Sequence, residues 1–324
     1  MRAAQVIQTT GPDGVEVREV PDATPGRGEV LVRVHSVGVA FPDLLLSQGL
    51  YQLRPEPPFT LGIDVAGTVE ALGADVEQFR VGQRVAAVAP YGGAAELAAI
   101  SEEAVFPLPD VLSYDEGAAL PMNYLTAQFA LVERAGLRPG EVVLVHGAAG
   151  GVGTATIQVA KGLGATVIAV VSTPEKAAVA RAAGADETVL VEGFRERVGA
   201  LTSGRGVDVV MDVVGGDLFT DSLRLLAPLG RLLVVGFAAG QGIPEVKVNR
   251  LLLNNIDVRG VGWGGFAMVR PGYMHQQWRS LLPMIESGLV KPPVGATYKL
   301  DEMPQALRDL QGRSAVGKLV LRVD

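Results

Sequence analysis

The chain has 324 residues, a length suited to about two domains, and 48% of them are apolar against 19% charged. That balance excludes a largely disordered chain, and the 41 glycines follow no collagen-like period. A net charge of −7 without any basic run excludes an electrostatic nucleic-acid binder and offers no attraction to an anionic membrane surface.

There is no cysteine, so disulfides, thiolate zinc sites and cysteine nucleophiles are ruled out. The three histidines, His35, His146 and His275, show no metal-ligand spacing. The N-terminus MRAAQVIQTTGPDG lacks the basic-then-apolar layout of a secretion signal. A soluble, cytoplasmic protein is expected.

Before about residue 123 the sequence alternates short β-branched runs, such as Glu29–Gly38, with turn clusters at 10–14, 21–26 and 54–58. This is the pattern of an antiparallel, loop-rich domain. From Asn123 the pattern becomes strand, helix, strand, helix. Strands are predicted at Val142–His146, Thr166–Val171, Thr188–Val191, Val207–Val213, Arg231–Gly236 and Ile256–Val261. Helices are predicted at Thr154–Gly162, Pro174–Ala183, Phe194–Leu201 and Leu218–Leu226. Near-continuous apolar strands separated by helices imply a doubly wound parallel α/β sheet covered on both faces. After Trp263 the pattern turns irregular, with a helix near Met303–Leu310 and a strand at Lys318–Val323. The predicted division is 1–123 with 264–324 as one domain and 124–263 as an inserted dinucleotide-binding domain.

The uncharged run Val142–Ala160 is long enough to span a bilayer. Its central Gly147, Gly150, Gly151 and Gly153 instead fit a strand, a tight turn and a helix. In that context the segment Gly147-Ala-Ala-Gly-Gly-Val-Gly153 is a variant of the dinucleotide fingerprint, with Ala148 in place of its first glycine. Gly150 lets backbone approach a pyrophosphate, and Gly153 lets the helix pack against the sheet. The N–H groups from Ala149, Gly150, Gly151, Val152 and Gly153 then face the anion.

The second strand ends in Ser172-Thr-Pro-Glu-Lys176, without the acidic residue that accepts from an NAD ribose. Ser172 or Thr173 can donate to a 2′-phosphate and Lys176 can pair with it, so NADPH is expected ahead of NADH. The same residues also read as an ordinary helix start, with Thr173 as N-cap and Pro174 in the first turn.

The segment Gly62-Ile-Asp-Val-Ala-Gly67, followed by Gly73 and Val76, resembles the G-H-E-x-x-G-x5-G-x2-V pattern of the medium-chain dehydrogenase/reductases. Val81-Gly-Gln-Arg-Val85, the glycine turn, Gly206-Val-Asp-Val-Val210 and Gly317-Lys-Leu-Val320 extend the resemblance over the whole chain. It implies a GroES-like, mainly antiparallel domain made by both chain ends, a Rossmann domain between them, and cofactor held in the cleft. The family's zinc-binding cysteine, histidine and glutamate correspond to Ala40, Ile63 and Asp64. Alanine and isoleucine cannot ligate a metal, so no zinc and no metal site are expected. The chain thus resembles the zinc-independent, zeta-crystallin-like quinone oxidoreductases, which pass hydride from NADPH to quinones or conjugated carbonyls.

Gln48-Gly-Leu-Tyr51 matches the Q-G-x-Y stretch that carries the proton donor of related enoyl-thioester reductases, which makes Tyr51 the candidate acid. Its other reading is a loop tyrosine on the site wall. The resemblance also places Thr126 and Lys318 near the cofactor. The strand-end turn Gly236-Phe237 is expected to contact nicotinamide through its backbone. Against a strong NADPH preference stand Glu175, which could turn toward a ribose, and Glu192, which would repel a phosphate; Ala40 replaces an asparagine that contacts cofactor or substrate in many quinone oxidoreductases.

Phe41, Tyr51, Phe59, Tyr124, Trp263 and Phe266 are candidates for a flat apolar slot, with ordinary core packing the default for at least half of them. Asp43 is expected to cap a helix Leu44–Ser47, and His146 to support the glycine turn. The strand at 256–261 would be a sheet edge, so a homodimer is expected. Two other functions stay open at this point: reduction of enoyl-CoA or acyl-carrier-protein thioesters, and NADPH binding without turnover.

Overall fold

The uninterrupted β-branched runs of the middle of the chain form a single six-stranded parallel sheet. Its order is Glu187–Leu190, Thr166–Val171, Val142–His146, Val207–Asp212, Leu226–Val234, Asp257–Gly260. Every neighbouring pair is parallel. The order reverses between Val142–His146 and Val207–Asp212, the switch point at which sheets of this kind open a ligand crevice. Leu144, Val170, Val210 and Leu232 line one face and pack on Phe194, Val198, Phe219 and Leu223 of the covering helices.

The computed structural model describes residues 1–313 and 315–323. They fall into two units: Met1–Met122, Pro271–Glu286 and Pro292–Asp324 in one, Asn123–Arg270 and Ser287–Lys291 in the other. Residues 264–270 therefore lie with the parallel sheet, where the Phe266 ring sits 5.0 Å from that of Phe129. Gln158 holds the short return segment, donating to the Lys291 carbonyl at 2.9 Å and accepting from its N–H at 3.0 Å.

Two local differences from the sequence reading have physical causes. The helix expected over Leu218–Leu226 spans only Asp217–Ser222. Leu226 already pairs with Val207 in the sheet, which starts that strand early. The helix expected from Thr154 begins at Gly151, directly on the glycine turn. At the other end of the sheet, buried Arg231 clamps Glu141 with two bonds of 2.7 and 2.6 Å and donates to the Ala135 carbonyl at 2.9 Å.

The first unit carries a seven-stranded sheet. Glu29–Val39 is its centre, pairing with Asp64–Leu72, Lys318–Arg322 and Leu97–Ser101. Arg84–Val88 and Val105–Pro107 extend one side, and Val294–Lys299 pairs in parallel with Lys318–Arg322 on the other. The last strand of the chain thus lies beside one of the first. A smaller sheet joins Val15–Glu19, Arg2–Val6 and Phe59–Thr60. Among the described residues no helix is long and apolar enough to cross a membrane.

Candidate active site

The glycine turn occupies the end of the strand Val142–His146, at the switch point. A Cβ on Gly153 would lie 2.2 Å from the Gly147 carbonyl oxygen and 2.7 Å from Ala148 Cα. The helix Gly151–Gly162 therefore sits against the turn at a distance only glycine permits. Gly150 is different: the nearest atom to a Cβ there is 3.4 Å away, so its face is open to an approaching group. The N–H groups of Gly151, Val152 and Gly153 fall in the first turn of the helix, where no intrahelical acceptor exists. They are aligned with the positive end of the helix dipole. The cradle fits the pyrophosphate of a dinucleotide.

At the end of the next strand, Thr173 caps the helix Pro174–Ala182, its hydroxyl accepting from the Lys176 N–H at 3.3 Å. The Lys176 ammonium reaches back to the exposed Ser172 hydroxyl at 3.2 Å. Capping and a cation beside Ser172 thus coexist. Gly236 follows the strand Leu226–Val234, and Phe237 is exposed beside it. Thr126 is buried within the helix Pro121–Gln128.

His146 is fully buried and shares a 2.6 Å hydrogen bond with Ser222. Burial pulls its pKa down to about 4, so it is neutral at physiological pH, and its bond runs to the helix Asp217–Ser222.

In the first unit, the positions that correspond to a metal site are filled by a different arrangement. Ala40 and Ile63 are buried and apolar. Asp64, fully buried, holds the buried Lys318 ammonium at 2.8 Å, and its other oxygen accepts the Met122 N–H at 2.8 Å. Burial raises the Asp64 pKa, and the Lys318 charge opposes that rise. Lys318, read in the sequence as a residue near the cofactor, is thus engaged with a carboxylate in its own unit. A Cβ on Gly38 would come within 2.7 Å of Lys318 Cε, so glycine leaves room for that side chain.

Asp43 does not precede its helix, as the sequence suggests. The helix runs Phe41–Ser47 and Asp43 lies in its first turn. Its carboxylate accepts the Ala40 N–H at 2.9 Å and the Gly62 N–H at 2.9 Å. It therefore ties together the two segments that carry Ala40 and Ile63. Burial pushes its pKa up to about 6 in spite of those bonds.

The same helix delivers Tyr51. Gly49, at φ 68°, ends the helix in the left-handed conformation, and the chain turns back two residues before Tyr51. Tyr51 is half-buried, and its hydroxyl has no hydrogen-bond partner among the described residues. Burial, with a smaller contribution from the Asp43 charge, raises its pKa. Exposed Phe41, Leu50 and Leu53 lie on either side of it in sequence.

The six aromatics divide between core and surface. Phe59, Tyr124 and Trp263 are buried in the two cores, with the Tyr124 hydroxyl donating to Gln158 at 2.6 Å. Phe266 is occupied by Arg270, whose guanidinium lies 3.6 Å from the ring centroid. Of the six, Phe41 and Tyr51 present surface free of such partners. Among the described residues no group of three or more His, Cys, Asp or Glu side chains could hold a metal ion. Asp212 escapes the sequence reading, although an acid at a strand end followed by Gly215-Gly216 is a turn signal.

A parallel sheet with a glycine cradle at its switch point, together with an antiparallel domain built from both chain ends, defines a nucleotide-dependent oxidoreductase of the medium-chain type. The family comparisons are specific. Residues 26–110 match the alcohol dehydrogenase GroES-like domain and residues 151–287 the zinc-binding dehydrogenase family. The chain is 40% identical over 296 residues to quinone oxidoreductase-like protein 2 of Bos taurus, covering 90% of this chain and 84% of that one. It is 38% identical to quinone oxidoreductase of Pseudomonas aeruginosa, over 96% of each chain. The quinone oxidoreductase of Thermus thermophilus, solved also as its NADPH complex, superposes with a TM-score of 0.86 at 38% identity over both whole chains. The chain belongs to the quinone oxidoreductase branch of the medium-chain dehydrogenase/reductases, and it is an oxidoreductase.

Proposed function

We propose that this oxidoreductase uses NADPH, without zinc, to reduce quinones or α,β-unsaturated carbonyls. The observation that carries the reading is the open face of Gly150 beside the free N–H groups of the helix Gly151–Gly162, in a chain whose relatives are named quinone oxidoreductases. NADPH, when bound, supplies the hydride. Ala149, Gly150, Gly151, Val152 and Gly153 bind its pyrophosphate, Ser172 and Lys176 its 2′-phosphate, and the Gly236-Phe237 turn its nicotinamide. Thr126, buried in the helix Pro121–Gln128, lies near its nicotinamide. A conjugated acceptor spreads the arriving charge over its own π system, which makes a Lewis acid unnecessary and leaves positioning as the protein's main task.

A second reading, reduction of 2-enoyl thioesters, is favoured by the unpartnered Tyr51 hydroxyl, which is suited to donate a proton to a carbanion. A positioned acid contributes roughly 10²–10⁴-fold.

NADPH oxidation, with NADH as control, against 1,4-benzoquinone, an alkenal and crotonyl-CoA separates these readings when repeated on Tyr51→Phe. Quinone turnover that survives Tyr51→Phe supports a quinone reductase relying on proximity. Thioester or alkenal turnover that falls about a hundredfold supports an ene-reductase with Tyr51 as acid. No NADPH oxidation with any acceptor overturns both.

We further propose a homodimer in the cytoplasm. The strand Asp257–Gly260 is a sheet edge, and Leu252 and Leu253 just before it are 75% and 74% exposed. Both are features that a two-fold partner would cover. Sedimentation equilibrium tests this: a monomer at micromolar concentration sinks it.

A further inference from the structure

Asp212 closes the strand Val207–Asp212 and is only 1% exposed. One of its carboxylate oxygens accepts two successive backbone N–H groups, from Val214 at 2.9 Å and Gly215 at 2.8 Å. These bonds fold residues 213–216 into a turn in which Gly215 and Gly216 have φ of 73° and 61°, a conformation that other residues adopt only at a cost.

The turn touches both neighbouring strand ends. On one side Ala238 N donates to the Val213 carbonyl at 3.2 Å and Ala239 N to the Val214 carbonyl at 2.8 Å. The segment that follows Gly236-Phe237 therefore hangs on it. On the other side, a Cβ on Gly147 would lie 2.7 Å from Val213 Cγ2 and 3.3 Å from Val214 Cγ2, so the same two valines abut the start of the glycine turn. The second Asp212 oxygen is buried and has no partner among the described residues. The carboxylate is thus retained in an apolar place for the sake of its first oxygen.

We infer that Asp212 is a positioning residue of the dinucleotide site: by bonding Val214 and Gly215 it sets the spacing between the phosphate-facing glycine turn and the Gly236-Phe237 turn. The glycine turn is abutted by Val213 and Val214, and the Gly236-Phe237 turn by Val213 and Gly215. The inference rests on the reading of the chain as NADPH-dependent.

The test uses the whole protein and two variants. In Asp212→Ala both bonds are lost. In Asp212→Asn the amide oxygen can still accept both N–H groups. Hydrogen exchange without any ligand is measured for residues 213–216 and 236–239, and NADPH binding by the rise in its fluorescence. We expect Asp212→Ala to lose protection in both segments together and to weaken NADPH binding about tenfold or more, and Asp212→Asn to remain within about threefold of wild type in both.

Tenfold weakening in Asp212→Asn, which keeps the acceptor, overturns the inference, as does Asp212→Ala that exchanges and binds like wild type. If Asp212→Ala does not fold, the asparagine variant decides alone. Wild type that shows no NADPH binding refutes the cofactor reading instead, while the exchange result still judges the coupling of the two turns.

Discussion

Lys318 Nζ lies 2.8 Å from Asp64 Oδ2 in the fully buried interior of the first unit, although 254 residues separate the two in sequence. The last strand thus brings in the counter-charge for a carboxylate at the start of one of the early strands.

Lys318→Met should therefore destabilise the protein by about 3–5 kcal/mol, because it strands a carboxylate in an apolar place. Adding Asp64→Leu to it should restore part of that loss, since no unpaired charge then remains, and the Met122 N–H that loses its acceptor keeps the recovery incomplete. Urea unfolding of the single and double variants measures both. A Lys318→Met protein within about 1 kcal/mol of wild type (roughly fivefold in the folding equilibrium) would show that the pair matters little.

Asp43 and His146 should titrate with opposite effects on stability. The folded-state pKa of Asp43 is raised, from 3.8 to about 6. Its contribution is therefore full at low pH and is lost as pH rises through about 6. That of His146 is lowered, from 6.5 to about 4. Its contribution is full above its unfolded value and is lost as pH falls toward about 4. Each is worth about 3 kcal/mol. Urea midpoints at several pH values check the signs. As pH rises from about 4 to about 6 wild type should lose stability relative to Asp43→Asn, whose amide stays neutral, and as pH falls from about 6.5 to about 4 it should lose stability relative to His146→Gln.

Arg231→Leu should cost about 3 kcal/mol, since it leaves Glu141 without its counter-charge and the Ala135 carbonyl without its donor. Burial alone would raise Glu141, yet the Arg231 bonds and charge hold its pKa below the usual range. A group with a lowered folded pKa contributes stability that disappears as pH falls. The gap between Arg231→Leu and wild type should accordingly narrow in acid, as read by the same unfolding measurement.

Ser172→Ala and Lys176→Ala should each reduce the ratio of NADPH to NADH specificity by about 10-fold or more, the worth of a hydrogen bond to a charged group. Paired kcat/KM measurements test this. Equal losses with both cofactors would show that these residues only start the helix Pro174–Ala182.

The parallel sheet is legible in the sequence because its strands are buried on both faces and so read as unbroken apolar runs. The glycine turn is legible for a related reason. Its chemistry is local, with the strand, cradle and helix contiguous from Val142 to Gly162. Tyr51 is equally local, since Gly49 sets its place. The boundary at Leu226 is not legible, because an apolar helix end and an apolar strand start look alike until pairing with Val207 decides between them. The Asp64–Lys318 pair is hidden for another reason: no local pattern tells a lysine near the C-terminus which buried carboxylate it will meet. The double duty of Asp43 is hidden likewise, because Gly62 comes to it only through the fold.

That late arrival of Lys318 has a consequence for how the chain matures on the ribosome. All of the second unit, through Lys291, is synthesised before residue 318 exists, so its sheet can close while translation continues. The first unit cannot finish in the same way. Until its final strand emerges, Asp64 lacks its counter-ion and the edge of Glu29–Val39 that takes up Lys318–Arg322 stands open. The second unit can therefore close before the strand that completes the first is made.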